Sequence, residues 1–135
     1  MKAHILFLCT GNSVRSQMAE ALANVFHGER LDAVSAGSRP AGWVHPLAIR
    51  AMAAIGIDIT AAESKSAAEF AGCDFDVVVT VCDSAALDCP SWPGAKRIEH
   101  WSIEDPSIGR GEAAERFAAT RDEIAKRIDD LVGTL

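Results

Sequence analysis

At 135 residues the chain has room for one domain, 1–135, with a core of its own. A hydrophobic content of 49% and a charged content of 24% are those of an ordinary soluble globular protein. A formal charge of −6 excludes a surface that coats nucleic acid, because phosphate backbones require basic faces, so any basic site must be local.

The sequence alternates strand and helix signals. Residues 5–8 are a continuous apolar run, the mark of a strand covered on both faces. A turn-forming segment, 9–16, follows, and then a helical pattern with Met18, Leu22, Val25 and Phe26 on one face, ending near Gly28. Residues 32–36 read as a second strand closed by Gly37. His45-Pro46 opens a helix with Ala48, Met52 and Ile55 as its stripe and Gly56 as its stop. A short helix is expected over 66–71 and a second fully buried strand over 75–80. A more polar edge strand is expected over 96–101. The last helix spans about 112–132, with Phe117, Ile124, Ile128 and Leu131 inward and the i,i+4 pairs Glu123/Arg127 and Asp122/Lys126 outward. No run reaches the ~18 apolar residues of a membrane span. The first residues enter a strand-like run too short for a signal peptide. A cytoplasmic protein is expected, a monomer because no apolar stripe demands a partner, with its four cysteines chemical rather than structural staples.

This alternation predicts an α/β fold with a four-stranded parallel sheet and helices on both faces. The expected strand order is 2-1-3-4. The order reverses between strands 1 and 3, and ligands of open α/β sheets sit at the carboxyl ends of strands at such a reversal. Two cysteines fall there. Cys9 follows strand 1, in Cys9-Thr10-Gly11-Asn12-Ser13-Val14-Arg15-Ser16, and Cys82 follows strand 3. Adjacent strands lie ~4.8 Å apart, so Cys9 and Cys82 come within disulfide reach, about 4.4–6.8 Å between Cα atoms.

Residues 9–16 can build a thiolate nucleophile and an oxyanion cradle from one stretch of backbone. Amides at a helix start point outward and unpaired, so they bind anions and favour a thiolate. Gly11 and Asn12 tolerate the positive φ that curls a loop into an anion-binding nest. Arg15 adds a planar guanidinium fork, and Ser16 can donate its hydroxyl to the sulfur. The Cys9 pKa is expected to fall from ~8.5 into the range of roughly 3.5–7.5. The Gly-Lys-Ser/Thr ending of nucleotide-binding loops is missing.

Cys82 and Cys89 form a second constellation. Asp83 or Ser84 can cap a short helix that Pro90 ends. If helical, the two cysteines lie ~10.5 Å apart along the axis, too far for a disulfide. A helix this short is marginal alone, so unwinding to bridge them is cheap. The spacing suits a switch that exports an oxidising equivalent from a buried site to the surface. A zinc site using this pair and His100 does not fit structural zinc spacings. Asp105, before Pro106 in a loop with Ser107, Gly109 and Gly111, can swing over the anion loop and protonate a leaving oxygen. Glu104 is the alternative acid. The bland readings are a buried cysteine at a strand end, two unrelated core cysteines and a plain Asp-Pro turn.

These residues resemble the thioredoxin-coupled arsenate reductases, which share a fold with low-molecular-weight protein tyrosine phosphatases. The likeness rests on residues 9–20, Ser35-Ala36-Gly37, Val79-Thr80-Val81-Cys82, Cys89-Pro90, His100-Trp101 and Asp105-Pro106. It implies reduction of arsenate to arsenite by a three-thiol relay. Cys9 attacks arsenic while the amides of 10–16 (Thr10, Gly11, Asn12, Ser13, Val14, Arg15, Ser16) and the Arg15 side chain hold the oxygens, and Asp105 protonates the departing oxygen. Cys82 attacks the Cys9 sulfur, Cys89 then attacks Cys82, and thioredoxin reduces the resulting disulfide. No tightly bound cofactor or metal is implied.

Two positions depart from the family pattern. Val14 stands where the family often has another cysteine, which removes an oxidation hazard. Asn12, Glu20 and Ser35 match positions that hold potassium in some members, but Lys65 stands where an aspartate is expected. The Lys65 ammonium is expected to occupy that cation site. Cys73 has no part in the relay and reads as structural. The rivals are a low-molecular-weight tyrosine phosphatase using Cys9, Arg15 and Asp105, a non-catalytic thiol sensor, and an arsenate reductase using a small thiol such as glutathione. Against the phosphatase, Ser107 follows the Asp-Pro where tyrosine is usual, and the chain has no tyrosine.

Overall fold

The N-terminal apolar run becomes a strand because its amides find partners on both sides. In the computed structural model, which describes residues 2–83, 85 and 91–135, strand β1 spans Ala3–Cys9. It pairs in parallel with β2 (Leu31–Gly37) and with β3 (Phe75–Thr80), and β4 (Ala95–His100) pairs in parallel with β3. The order is β2-β1-β3-β4, as the sequence predicts. Every residue from Ile5 to Cys9 is buried, so both faces of β1 are covered. Burial alternates along β4, which fits its place at the edge.

Helices α1 (Arg15–Phe26), α2 (Pro46–Ala53) and α3 (Ala113–Val132) complete the frame. His45 caps α2, its Nδ1 accepting from the Leu47 amide at 3.0 Å, and Pro46 takes the first position, where no amide bond is lost. Phe117, Ile124, Ile128 and Leu131 are buried along α3 as expected. The Phe117 ring lies 4.9 Å from that of His45. Arg121 ties α3 to α2 through the Ala51 carbonyl at 2.8 Å. Residues 66–71 form a 3-10 turn, Ala67–Phe70, closed by a capping box of Ser66 and Glu69.

Some expected packing differs. Burial on α1 falls on Met18, Ala19, Leu22 and Ala23, and the last turn leaves Val25 and Phe26 57% and 58% exposed. Helix α2 ends at Ala53, so Ile55 sits in the turn before Gly56 (φ 81°), out of helical phase and exposed. Ile57 and Ile59 are buried in its place. Asp122 bonds Arg121 at 2.9 Å rather than Lys126, whereas Glu123 and Arg127 pair at 3.7 Å. No helix among the described residues is long and apolar enough to cross a membrane.

Register places the chemistry. Leu8 pairs with Thr80 and Cys9 with Gly37, and the Val81 amide donates to the Leu8 carbonyl at 2.8 Å. The chain ends of β1 and β3 therefore run side by side. Gly37 lies against the segment that leaves β1. A Cβ there would stand 2.5 Å from the Thr10 carbonyl oxygen and 3.0 Å from the Asn12 nitrogen, both backbone atoms that cannot turn aside. Gly37→Ala is expected to destabilise the protein by about 1–3 kcal/mol in urea unfolding.

Candidate active site

The loop after β1 is curled by one residue. Asn12 takes φ 48°, a left-handed conformation that asparagine tolerates better than most. Gly11, also expected to supply positive φ, does not. The Asn12 side chain is fully buried and its amide is saturated. Its Nδ2 donates to Ser16 Oγ at 2.8 Å and Ser35 Oγ at 2.9 Å, and its Oδ1 accepts from the Lys65 amide at 2.7 Å and Gln17 Nε2 at 3.0 Å. The loop carbonyls are drawn outward. Those of Cys9, Thr10, Gly11 and Ser13 accept from the amides of Ser38, Arg39, Ala41 and His45 at 2.8–3.2 Å. With their carbonyls engaged outside, the amides of 11–14 and the start of α1 are left to converge on an anion.

Cys9 and Cys82 meet at the base of this loop, both buried and unbridged. Cys82 Sγ lies 3.2 Å from Thr10 Oγ1 and 3.4 Å from the Ala85 amide, which donates to it. The two thiols titrate as one pair, where the sequence predicts a lowered pKa at Cys9 alone. Cys82 has its pKa lowered, first by the hydrogen bond from Cys9, then against burial by Thr10, Ala85 and Arg15. Cys9 is pushed up, first by that same bond and then by burial, with Arg15 opposing. Direct contact lets the pair share one proton, and the Ala85 amide beside Cys82 favours a negative charge on that sulfur.

A cleft of about 330 Å³ opens over Cys82, lined also by Thr10, Arg15, Asp83, Ser102, Ile103, Glu104 and Asp105, while Cys9 lies behind it and is not among the lining residues. Arg15 Nη1 donates to the Ile103 carbonyl at 2.8 Å, and its buried Nε has no partner among the described residues. An unpaired buried donor is costly, and an oxyanion in the loop would relieve it. Both candidate acids, Asp105 and Glu104, line the cleft. Asp105 Oδ1 accepts from the Ser107 amide at 2.9 Å and its hydroxyl at 2.7 Å. Burial raises its pKa, but the Ser107 bonds and Arg15 outweigh that and leave it lowered. In this arrangement Asp105 is a carboxylate.

One pairing was hidden in the sequence. Asp83 Oδ1 lies 2.8 Å from His100 Nε2, and His100 Nδ1 lies 2.8 Å from Thr80 Oγ1. The bond to His100, with a second from Ser102, holds the Asp83 carboxyl below its usual range. Asp83 therefore ties β3 to β4, and Cys82 Sγ takes the Ala85 amide. Cys89 and Pro90, with Ser84, lie outside the described residues. Among the described residues no three metal-ligating side chains converge. Cys73 is exposed, away from the cleft.

The four residues expected at a cation site come together. Glu20 Oε1 accepts from Ser35 Oγ at 3.0 Å and stands 3.6 Å from Lys65 Nζ. Lys65 Nζ also donates to the Glu63 carbonyl at 3.2 Å. Ser35 accepts in turn from Asn12, so one ion pair and two hydrogen bonds connect the ammonium to the anion loop.

The sequence profile of the low molecular weight phosphotyrosine protein phosphatases matches residues 4–135. The chain belongs to that family. Within it the chain groups with arsenate reductases. It is 43% identical to the arsenate reductase of Halalkalibacterium halodurans over 98% of this chain and 97% of that one. A solved arsenate reductase in a phosphate-binding state superposes with a TM-score of 0.83 at 32% identity, covering 99% of this chain and 98% of that one. The thioredoxin-dependent arsenate reductase of Corynebacterium glutamicum superposes with a TM-score of 0.75 at 30% identity, covering 98% of this chain and 61% of that one. The family gives the cleft its reading as an enzyme active site. Thr10→Val removes one donor to the Cys82 sulfur, and ultraviolet thiolate titration should find its pKa raised by about one unit.

Proposed function

We propose that this protein reduces arsenate to arsenite through Cys9, Cys82 and Cys89, with thioredoxin as the final reductant. The observation that carries this is the contact between the Cys9 and Cys82 thiols beneath the anion loop. A phosphatase needs Cys9, Arg15 and Asp105 but has no use for a second thiolate pressed against its nucleophile. The arsenate reductases among the relatives support the substrate. The thioredoxin-dependent relative supports the reductant.

The steps follow from the charges. Arsenate enters as an anion, held by the amides of 10–16 and the free donors of Arg15. Its oxygen accepts the Cys9 proton as the Cys9 sulfur bonds to arsenic. One arsenic–oxygen bond breaks and, with a proton from Asp105, the oxygen leaves as water. Asp105 must first be protonated, which its Ser107 bonds oppose. Cys82, already a thiolate, attacks the Cys9 sulfur. The arsenic–sulfur bond breaks with its electron pair going to arsenic, As(V) becomes As(III), and arsenite departs from a Cys9–Cys82 disulfide. Cys89 attacks Cys82 and returns Cys9 as a thiolate. Thioredoxin's dithiol then reduces the Cys82–Cys89 disulfide and is itself oxidised.

Lys65 supplies the positive charge that braces Glu20, Ser35 and Asn12, so the parent needs no potassium. Replacing potassium by sodium should leave its rate unchanged. Lys65→Asp should create a potassium dependence, and a clear dependence in the parent would sink the idea. The relay is tested by NADPH consumption with arsenate, thioredoxin and thioredoxin reductase. The parent should turn over repeatedly and Cys89→Ser should stop at one equivalent. Turnover supported only by glutathione would replace the protein reductant with a small thiol. Aryl phosphate hydrolysis without arsenate turnover would make this a phosphatase.

A further inference from the structure

The segment carrying Asp105 has little apolar anchorage after Pro106. Ile108 is 73% exposed, and Gly109 and Gly111 take φ 137° and 82°. A loop of this kind is free to shift unless polar contacts hold it. The contacts come from one side chain on α3. Arg116 Nε donates to the Pro106 carbonyl at 3.0 Å, and Nη1 donates to those of Gly111 at 2.6 Å and Arg110 at 3.3 Å. The backbone also lies against its stem, since a Cβ on Gly109 would stand 3.0 Å from Arg116 Cδ. On the other side of Asp105, Arg15 holds the Ile103 carbonyl at 2.8 Å. The Ser107 bonds to Asp105 are local and travel with the loop. The two guanidinium groups connect it to α1 and α3.

We propose that Arg116 is the positioning residue for Asp105. It fixes the carbonyl of Pro106, the residue immediately after the acid, as Arg15 fixes that of Ile103 two residues before it, and so sets where the carboxyl stands over the anion loop. This rests on the reading of Asp105 as the acid of the arsenate reductase. A lysine keeps the charge but cannot span three carbonyls with a planar fork.

The test is a double-mutant cycle on single-turnover arsenite formation, with binding read separately through KM. Asp105→Asn should slow the step about a hundredfold. Arg116→Ala should slow it about tenfold with KM within about twofold, Arg116→Lys should recover little of the loss, and added guanidinium ion should recover part of it. Arg116→Ala in the Asp105→Asn background should cost nothing further. An equal cost in both backgrounds, a change in KM alone, or full activity of Arg116→Lys overturns the proposal. An Asp105→Asn enzyme as fast as the parent removes the acid reading, and the positioning role with it, while leaving arsenate reduction standing. If the parent reduces no arsenate, that reading fails, and the same cycle is read on aryl phosphate hydrolysis, where the leaving phenolate makes the same demand on Asp105.

Discussion

The site depends on the buried amide of Asn12. Its backbone supplies the left-handed turn, and its side chain makes two donations and accepts two hydrogen bonds. Those four partners come from α1, from β2 and from the segment around Lys65. A single planar group therefore fixes loop, helix, strand and crossover relative to one another. The Asn12 amide itself is fully satisfied, the condition under which a buried polar group specifies a structure, although the buried Gln17 Oε1 has no partner among the described residues. Asn12 stands at the point where β1 gives way to α1, so the curl that makes the cradle also directs the chain into the helix.

The sulfur pair shows how two local fields divide one charge. The anion loop would favour a thiolate at Cys9, and the Ala85 amide with the Thr10 hydroxyl favours one at Cys82. In contact the two sulfurs share a single proton, and the donors around Cys82 favour the charge there. The relay then begins with a proton handed to the incoming oxyanion and finds its second nucleophile already ionised. Arg15 lies close enough to lower both thiols, so it favours a negative charge on either sulfur.

Strand order, the Cys9 loop and the meeting of Cys9 with Cys82 were legible because each follows from periodicity and register. Two fully apolar runs must be the inner strands, and cysteines placed just after adjacent parallel strands must be neighbours. The convergence of Asn12, Glu20, Ser35 and Lys65 was legible only through family resemblance, since they lie far apart in sequence. What the sequence hid depended on through-space chemistry. The charge on Cys82 needed the Thr10 and Ala85 contacts. The Asp83–His100 bond could have been found from the pairing of Thr80 with His100, but only after the β3–β4 register was known. Arg116 carries no motif, because its partners are carbonyls, which every residue possesses. Val25, Phe26 and Ile55 misled because apolar spacing says nothing about where a helix stops being covered.

The order β2-β1-β3-β4 places both described relay thiols behind the two inner strands. The edges, where sheets fray and where foreign strands add, are β2 and β4, and neither bears Cys9 or Cys82. Amides in β1 and β3 should therefore exchange with solvent only through opening of the whole domain. The strand ends that carry the two sulfurs then keep their register for as long as the fold lasts, while Cys82, beyond the end of β3, can change partners without the sheet opening.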